Sequence, residues 1–127
     1  MAAIGDSVEF DEISNRIIGS AIKVHMALGP GFLESIYEAA LAIQLRKDGL
    51  IVESQKEVRI CYDGQEVGVH RLDMVVENAV IVELKAAKDF DASHLAQIIS
   101  YLTATGLKTG LLLNFGKARL GIKRVVR

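Results

Sequence analysis

Three residues of this chain have the types and spacing to do chemistry: Asp73, Glu83 and Lys85. They lie in one stretch, Asp-Met-Val-Val-Glu-Asn-Ala-Val-Ile-Val-Glu-Leu-Lys, which reads as two apolar strands joined by a tight turn. The second run looks like a buried central strand. A buried charge is costly unless it is paired or holds a metal. One reading is therefore structural, an ion pair between Glu83 and Lys85 or between Asp73 and Arg71. The other is a cation site. Two carboxylates that face each other repel, and a divalent ion between them keeps both ionised. Oxygen donors without histidine or thiolate suit Mg²⁺ or Mn²⁺. A lysine beside such a site can orient or deprotonate water, or neutralise charge developing on a phosphate. Spacing alone leaves both readings open.

Strand register decides whether the two acids meet. A three-residue turn, Glu77-Asn78-Ala79, pairs Val76 with Val80 and sets Asp73 opposite Glu83 on one face. A two-residue turn at Asn78-Ala79 sends them to opposite faces. Asn78 tolerates the geometry that this second turn requires, so sequence alone does not settle the register. Glu83 and Lys85 share a face in both cases.

The surrounding elements have to position these residues. Phe10, Ile13, Ile17, Ala21, Val24 and Leu28 recur at helical spacing and predict a first helix from about Glu9 to Leu28. Gly29-Pro30-Gly31 stops it. A second helix is expected from about Leu33 to Lys47, with Ile36, Ala40 and Ile43 on its core side and Asp48-Gly49 closing it. The pattern then turns to β. A strand crosses Val58, Ile60 and Tyr62, Asp63-Gly64 makes a hairpin turn, and the chain returns over about Glu66 to Val76. The third strand covers Val80 to Ala86. A third helix follows from about Ala92 to Thr105, capped by Asp91 or Ser93 and ended by Gly106. Gly110 to Phe115 reads as a buried strand and Ile122 to Val126 as a short last one. The order is ααβββαββ. The 127 residues are expected to form a single domain, loosely ordered over residues 1–7.

Composition narrows the partners. Half of the residues are hydrophobic, enough for a sizeable core. No apolar run approaches the length of a membrane span, and no secretory signal is apparent, so no membrane partner is expected. The lone Cys61 rules out an internal disulfide and fits a reducing, cytoplasmic setting. Net charge is −1 but uneven: residues 1–100 carry 9 basic and 16 acidic side chains, and residues 101–127 carry 6 basic and none acidic. That basic segment is either a polyanion-binding surface or a solvated face balancing an acidic body. No phosphate loop, serine-nucleophile elbow or activated thiol motif is present.

Asp73 followed by Glu83-Leu84-Lys85 resembles the Asp…(Asp/Glu)-x-Lys signature of the PD-(D/E)xK nucleases. Gly31-Phe32-Leu33-Glu34-Ser35-Ile36-Tyr37 resembles the motif that names the GxxExxY proteins within that superfamily. Gln97-Ile98-Ile99-Ser100-Tyr101 is similar to its Q-x-x-x-Y element. Gly110 to Gly116 and Lys123-Arg124 are similar to its C-terminal part. The likeness spans about residues 10–126. Leu72 stands where the motif often has proline, which removes no ligand.

The resemblance implies an α/β (α+β) restriction-endonuclease-like fold, a mixed central sheet flanked by helices. It implies metal ligation by Asp73, Glu83, Glu34 and the Leu84 backbone carbonyl. Lys85 acts on the attacking water or the scissile phosphate, and Gln97, Tyr101 and Tyr37 support the site. The expected function is Mg²⁺- or Mn²⁺-dependent hydrolysis of nucleic acid, DNA or RNA, with a homodimer as one way for so small a chain to hold a duplex. The alternative is a catalytically silent nucleic-acid-binding or oligomerisation module on the same fold. On residue type alone, Tyr37 also suits core packing, Glu34 a helix N-terminus, and His94 an exposed surface. Arg71 suits either Asp73 or a phosphate.

Overall fold

The computed structural model describes residues 12–127 and the course of the first helix from Ala2. The loose order expected over residues 1–7 falls outside the described side chains. The elements are α1 (Ala2–Leu28), α2 (Glu34–Lys47), β1 (Val52–Tyr62), β2 (Gln65–Val76), β3 (Val80–Lys85), α3 (Ala92–Thr105), β4 (Thr109–Asn114) and β5 (Gly121–Val126). This is the expected order. β1 runs six residues further back than the Val58 start read from sequence. No described helix is long and apolar enough to cross a membrane.

The five strands lie in sequence order, β1-β2-β3-β4-β5. β1, β2 and β3 form an antiparallel meander, β3 and β4 are parallel, and β5 returns antiparallel to β4. A parallel pair needs a crossover, and α3 supplies it. β3 and β4 are therefore central and covered on both faces, so their side chains are almost continuously buried.

Two apolar clusters flank the sheet. Ile17, Ala21 and Val24 of α1 and Tyr37, Leu41 and Leu45 of α2 pack on Met74, Val76, Val82, Leu84, Leu111 and Leu113. On the other face Ile98, Tyr101 and Leu102 of α3 pack on Leu72, Val75, Ile81 and Leu112. Gly110 allows α3 this approach, because a Cβ there would fall 2.6 Å from Ile98 Cδ1. Asp91 caps α3 through the Ser93 and His94 amides, and His94 Nδ1 accepts from the Asp91 amide in return.

The core face of α2 departs from the sequence reading. Ile36 and Ile43 are exposed, and Tyr37, Leu41, Ala42 and Leu45 point inward. Both stripes are apolar at helical spacing. The choice falls to Tyr37, whose ring stacks on Phe115 at 4.7 Å. Its hydroxyl donates to the Gly29 carbonyl (2.5 Å) and accepts from the Phe32 amide (3.1 Å). The Gly29–Phe32 turn is thus tied to the core, with Gly29 and Gly31 at positive φ.

Asp48, just past α2, ties the first two helices together. It accepts from Ser20 (2.6 Å), Gln44 (3.1 Å) and Lys23 (3.2 Å). The Ser20 and Gln44 hydrogen bonds lower its pKa to about 2, against 3.8 unfolded. Its contribution is present above the unfolded value and is lost as pH falls through the folded one. Asp48→Asn should lower the denaturation midpoint at pH 7, and the gap to wild type should close as acid denaturation is followed from pH 4 towards pH 2.

Candidate active site

The turn Glu77-Asn78-Ala79 sets the geometry. Glu77 and Asn78 both take positive φ, and the Ala79 amide bonds the Val76 carbonyl at 3.0 Å. The register pairs Val76 with Val80, Val75 with Ile81 and Met74 with Val82. This is the three-residue alternative, and its next step brings Asp73 opposite Glu83.

At that step the backbone ladder stops and the carboxylates take its place. Glu83 Oε1 accepts from the Asp73 amide at 3.2 Å, and Asp73 Oδ2 accepts from the Leu84 amide at 2.9 Å. The ladder to β1 breaks at the same level. Ser54 pairs with Met74 and Lys56 with Leu72, which leaves Gln55 and Asp73 unpaired between them. Gln55 sits at φ +53, a strained value for a non-glycine residue. The irregularity turns both strands over. Leu72 and Met74, two residues apart, pack on opposite sides of the sheet, as do Val52 and Val58. Asp73 thus occupies a point where β2 is unpaired on both sides, leaving its backbone and side chain to bond β3 through polar groups.

Glu83 is buried at 3% exposure beside Asp73. Burial, and then the Asp73 charge, push its carboxyl up to about 9, with Lys85 opposing only weakly. The Lys85 ammonium donates to Gln97 Oε1 on α3 at 3.1 Å. Gln97 also bonds Tyr101, whose phenol is pushed up by burial and then by the Glu83 and Asp73 charges. His94, on the same helical face, is engaged in the α3 cap. Arg71 meets Glu57 at 2.7 Å rather than Asp73.

Glu34, the first residue of α2, reaches across to accept from the Ala86 amide at 3.2 Å. It lies at the end of β3 and is hydrogen-bonded to the backbone just after Lys85. Tyr37, one turn on, is wholly buried and holds the loop before Glu34. Among the described residues no three acidic, histidine or cysteine side chains are gathered closely enough to hold an ion as they stand. Asp73 and Glu83 nevertheless offer oxygen donors side by side in a buried place where one carboxyl resists ionising. That donor set fits a hard divalent cation, whose charge reverses the cost of a second carboxylate.

Three residues at the site escape a sequence reading. Glu38 follows Glu34 by one helical turn and accepts from Gln55 Nε2 at 2.5 Å. Burial raises its pKa, the Gln55 hydrogen bond opposes this, and the Asp73 and Glu34 charges add to the rise. The i, i+4 pair of acids was the available signal. Gln55 shows nothing unusual in sequence, because its role comes from backbone strain. Asn114, buried at the end of a leucine run, accepts from the Ala87 and Gly116 amides and donates to the Ala87 carbonyl. A Cβ on Gly116 would lie 2.5 Å from that carbonyl oxygen. Asn114 and Gly116 therefore fix the loop that leaves Lys85.

The profile of the PD-(D/E)XK nuclease superfamily matches residues 11–125. No curated protein matches the chain. Among solved structures, the crystal structure of SSO0001 superposes with a TM-score of 0.60 at 18% identity, over 73% of this chain and 49% of that one. The chain thus spans about half the length of that structure, and the likeness shows a shared restriction-endonuclease-like fold. An alkaline exonuclease from Laribacter hongkongensis aligns at a TM-score of 0.41 and 13% identity, over 84% of this chain and 76% of its own.

The raised Glu83 carboxyl has a measurable cost. A carboxyl whose folded pKa lies above its unfolded value of 4.5 contributes stability that is complete below 4.5 and is lost as pH rises towards about 9. Without divalent ions, Glu83→Gln should therefore melt on the order of 5 °C above wild type near pH 8, with the difference shrinking towards pH 5. Thermal denaturation in chelator across that range measures it.

Proposed function

We propose that this chain, which belongs to the PD-(D/E)XK nuclease superfamily, hydrolyses phosphodiester bonds of nucleic acid. Nucleases of this superfamily generally use divalent metal ions, and the substrate implied by the fold is nucleic acid. Within the superfamily we assign the chain to the GxxExxY proteins, on Gly31, Glu34 and Tyr37. We take residues 1–127 as one nuclease-like domain working in the cytoplasm. The supporting observation is the double gap in the ladder at Asp73, which leaves two carboxylates facing each other beside a lysine.

The residues divide the work as follows. Asp73 and Glu83 would hold Mg²⁺ or Mn²⁺, with the Leu84 carbonyl and Glu34 as further oxygen donors. A bound cation supplies electrostatic stabilisation of the charge that builds on the phosphoryl oxygens during in-line attack by water. Lys85 bears on the attacking water or on a phosphate oxygen. Gln97 keeps the ammonium from folding back onto Glu83, so its charge remains available to the substrate. Tyr101 anchors Gln97 from the core. Glu34 and Asn114 hold the turn after Lys85, which fixes where the lysine begins. Tyr37 acts one step further out by fixing the loop in front of Glu34.

In a nuclease assay with Mg²⁺ or Mn²⁺ on single- and double-stranded DNA and RNA, Lys85→Ala should lower kcat by about 10²-fold or more. Unchanged activity would reject the assigned role. Calorimetry tests the metal separately: wild type should bind Mn²⁺, and Asp73→Asn should bind it at least about tenfold more weakly. A wild type that binds metal and nucleic acid but cuts nothing would support the silent binding module instead.

A further inference from the structure

Immediately before Glu34 the chain holds two large apolar side chains out into solvent. Leu33 is 72% exposed and Phe32 is 44% exposed, with Ile36 one turn along at 41%. A loose loop would be an unremarkable place for them, but this loop is pinned. The Tyr37 hydroxyl ties Gly29 and Phe32 together from below. The Phe32 ring stands edge-on to Tyr37 with centroids 6.0 Å apart and planes at 79°. Gly31 makes its bend at φ +113, a conformation that side chains other than glycine resist. Glu34, the residue after Leu33, bonds the backbone just past Lys85.

Leu33 is also an odd choice for its backbone position. It is the N-cap of α2, and its side chain makes no capping bond. Serine, threonine, aspartate or asparagine in that place satisfies an exposed helix amide and stabilises the helix. Stability therefore does not account for leucine here. A rigid apolar lip that adjoins a carboxylate-and-lysine site is continuous with whatever lies across that site. For a nucleic acid, the complementary part beside a phosphodiester is the face of a base. A base offers its face only when it is out of the duplex or at a strand end.

We propose that Phe32 and Leu33 form a base-stacking lip next to the reacting phosphodiester, so that the site takes single-stranded or frayed nucleic acid ahead of intact duplex. This rests on the nuclease reading above. The chemistry recognised is an unpaired base on either sugar, and DNA and RNA substrates are compared directly in the test.

The test compares wild type, Phe32→Ala and Leu33→Ser on single-stranded oligodeoxynucleotide, single-stranded oligoribonucleotide and blunt duplex. Wild type should cut at least one single strand about tenfold faster than duplex, as kcat/KM. Both variants should lose about 5- to 100-fold on that strand and little on duplex. Leu33→Ser should at the same time hold or raise its melting temperature, because it restores a cap, so loss of fold cannot explain its loss of activity. Equal wild-type rates on single strand and duplex would overturn the proposal, as would a Leu33→Ser enzyme that keeps the wild-type preference. A wild-type dimer that Leu33→Ser dissociates in sedimentation, with that preference intact, would assign the lip to self-association instead. If wild type cuts nothing, the nuclease reading fails and the lip is judged by binding alone. Quenching of a 2-aminopurine single strand by wild type and not by Leu33→Ser supports it, and equal quenching rejects it.

Discussion

The structure around the site depends on one local defect, the loss of backbone pairing on both sides of Asp73. A strand in the middle of a sheet ordinarily satisfies its amides and carbonyls through its neighbours. At Asp73 that pairing is given up, and the amides of Asp73 and Leu84 are taken by the carboxylates of Glu83 and Asp73. The side chains thereby complete the sheet as well as furnish the site. Gln55 holds the opposite side of the gap with a strained backbone and braces Glu38. Strain of this kind persists only where the surrounding packing over-determines it, and here apolar clusters on both sides of the sheet do so.

How much of this could be read from the sequence varied with the range of the interaction. Helices α1 and α3, the hairpin turns and the element order follow from patterns within a few residues, and they were legible. The turn Glu77-Asn78-Ala79 allowed two registers, and choosing between them required the observed pairing of Val76 with Val80. The period does not choose the buried face of α2, because Ile36 and Ile43 match it as well as Leu41 and Leu45 do. What separates them is the stacking of Tyr37 on Phe115, residues 78 positions apart. Glu38 and Asn114 are hidden from sequence for a related reason: each acts through a partner that sequence does not place beside it. The exposed lip at Phe32 and Leu33 is the reverse case. Nothing in their local pattern sets these apolar residues apart, and only the fold leaves them outside.

The loop after Lys85 shows how firmly the site is framed. Ala86 is held by Glu34 from α2, and Ala87 by Asn114 from β4. The Phe115 amide closes on the Lys85 carbonyl at 2.8 Å. The lysine therefore leaves a backbone fixed from two directions, while its own head group is placed by a third element, α3. A side chain with four rotatable bonds gains definition only from such support at both ends.

The strand order puts β5 at one margin of the sheet. Its residues Lys123 and Arg124, together with Arg127 just beyond, belong to the basic segment that the composition singled out. A strand with one unpaired flank is a template on which another chain can grow, and closely spaced positive charges make such growth repulsive. The cationic end of the molecule thus has a colloidal consequence independent of any polyanion: like charges along this edge disfavour its pairing with the same edge of a second copy.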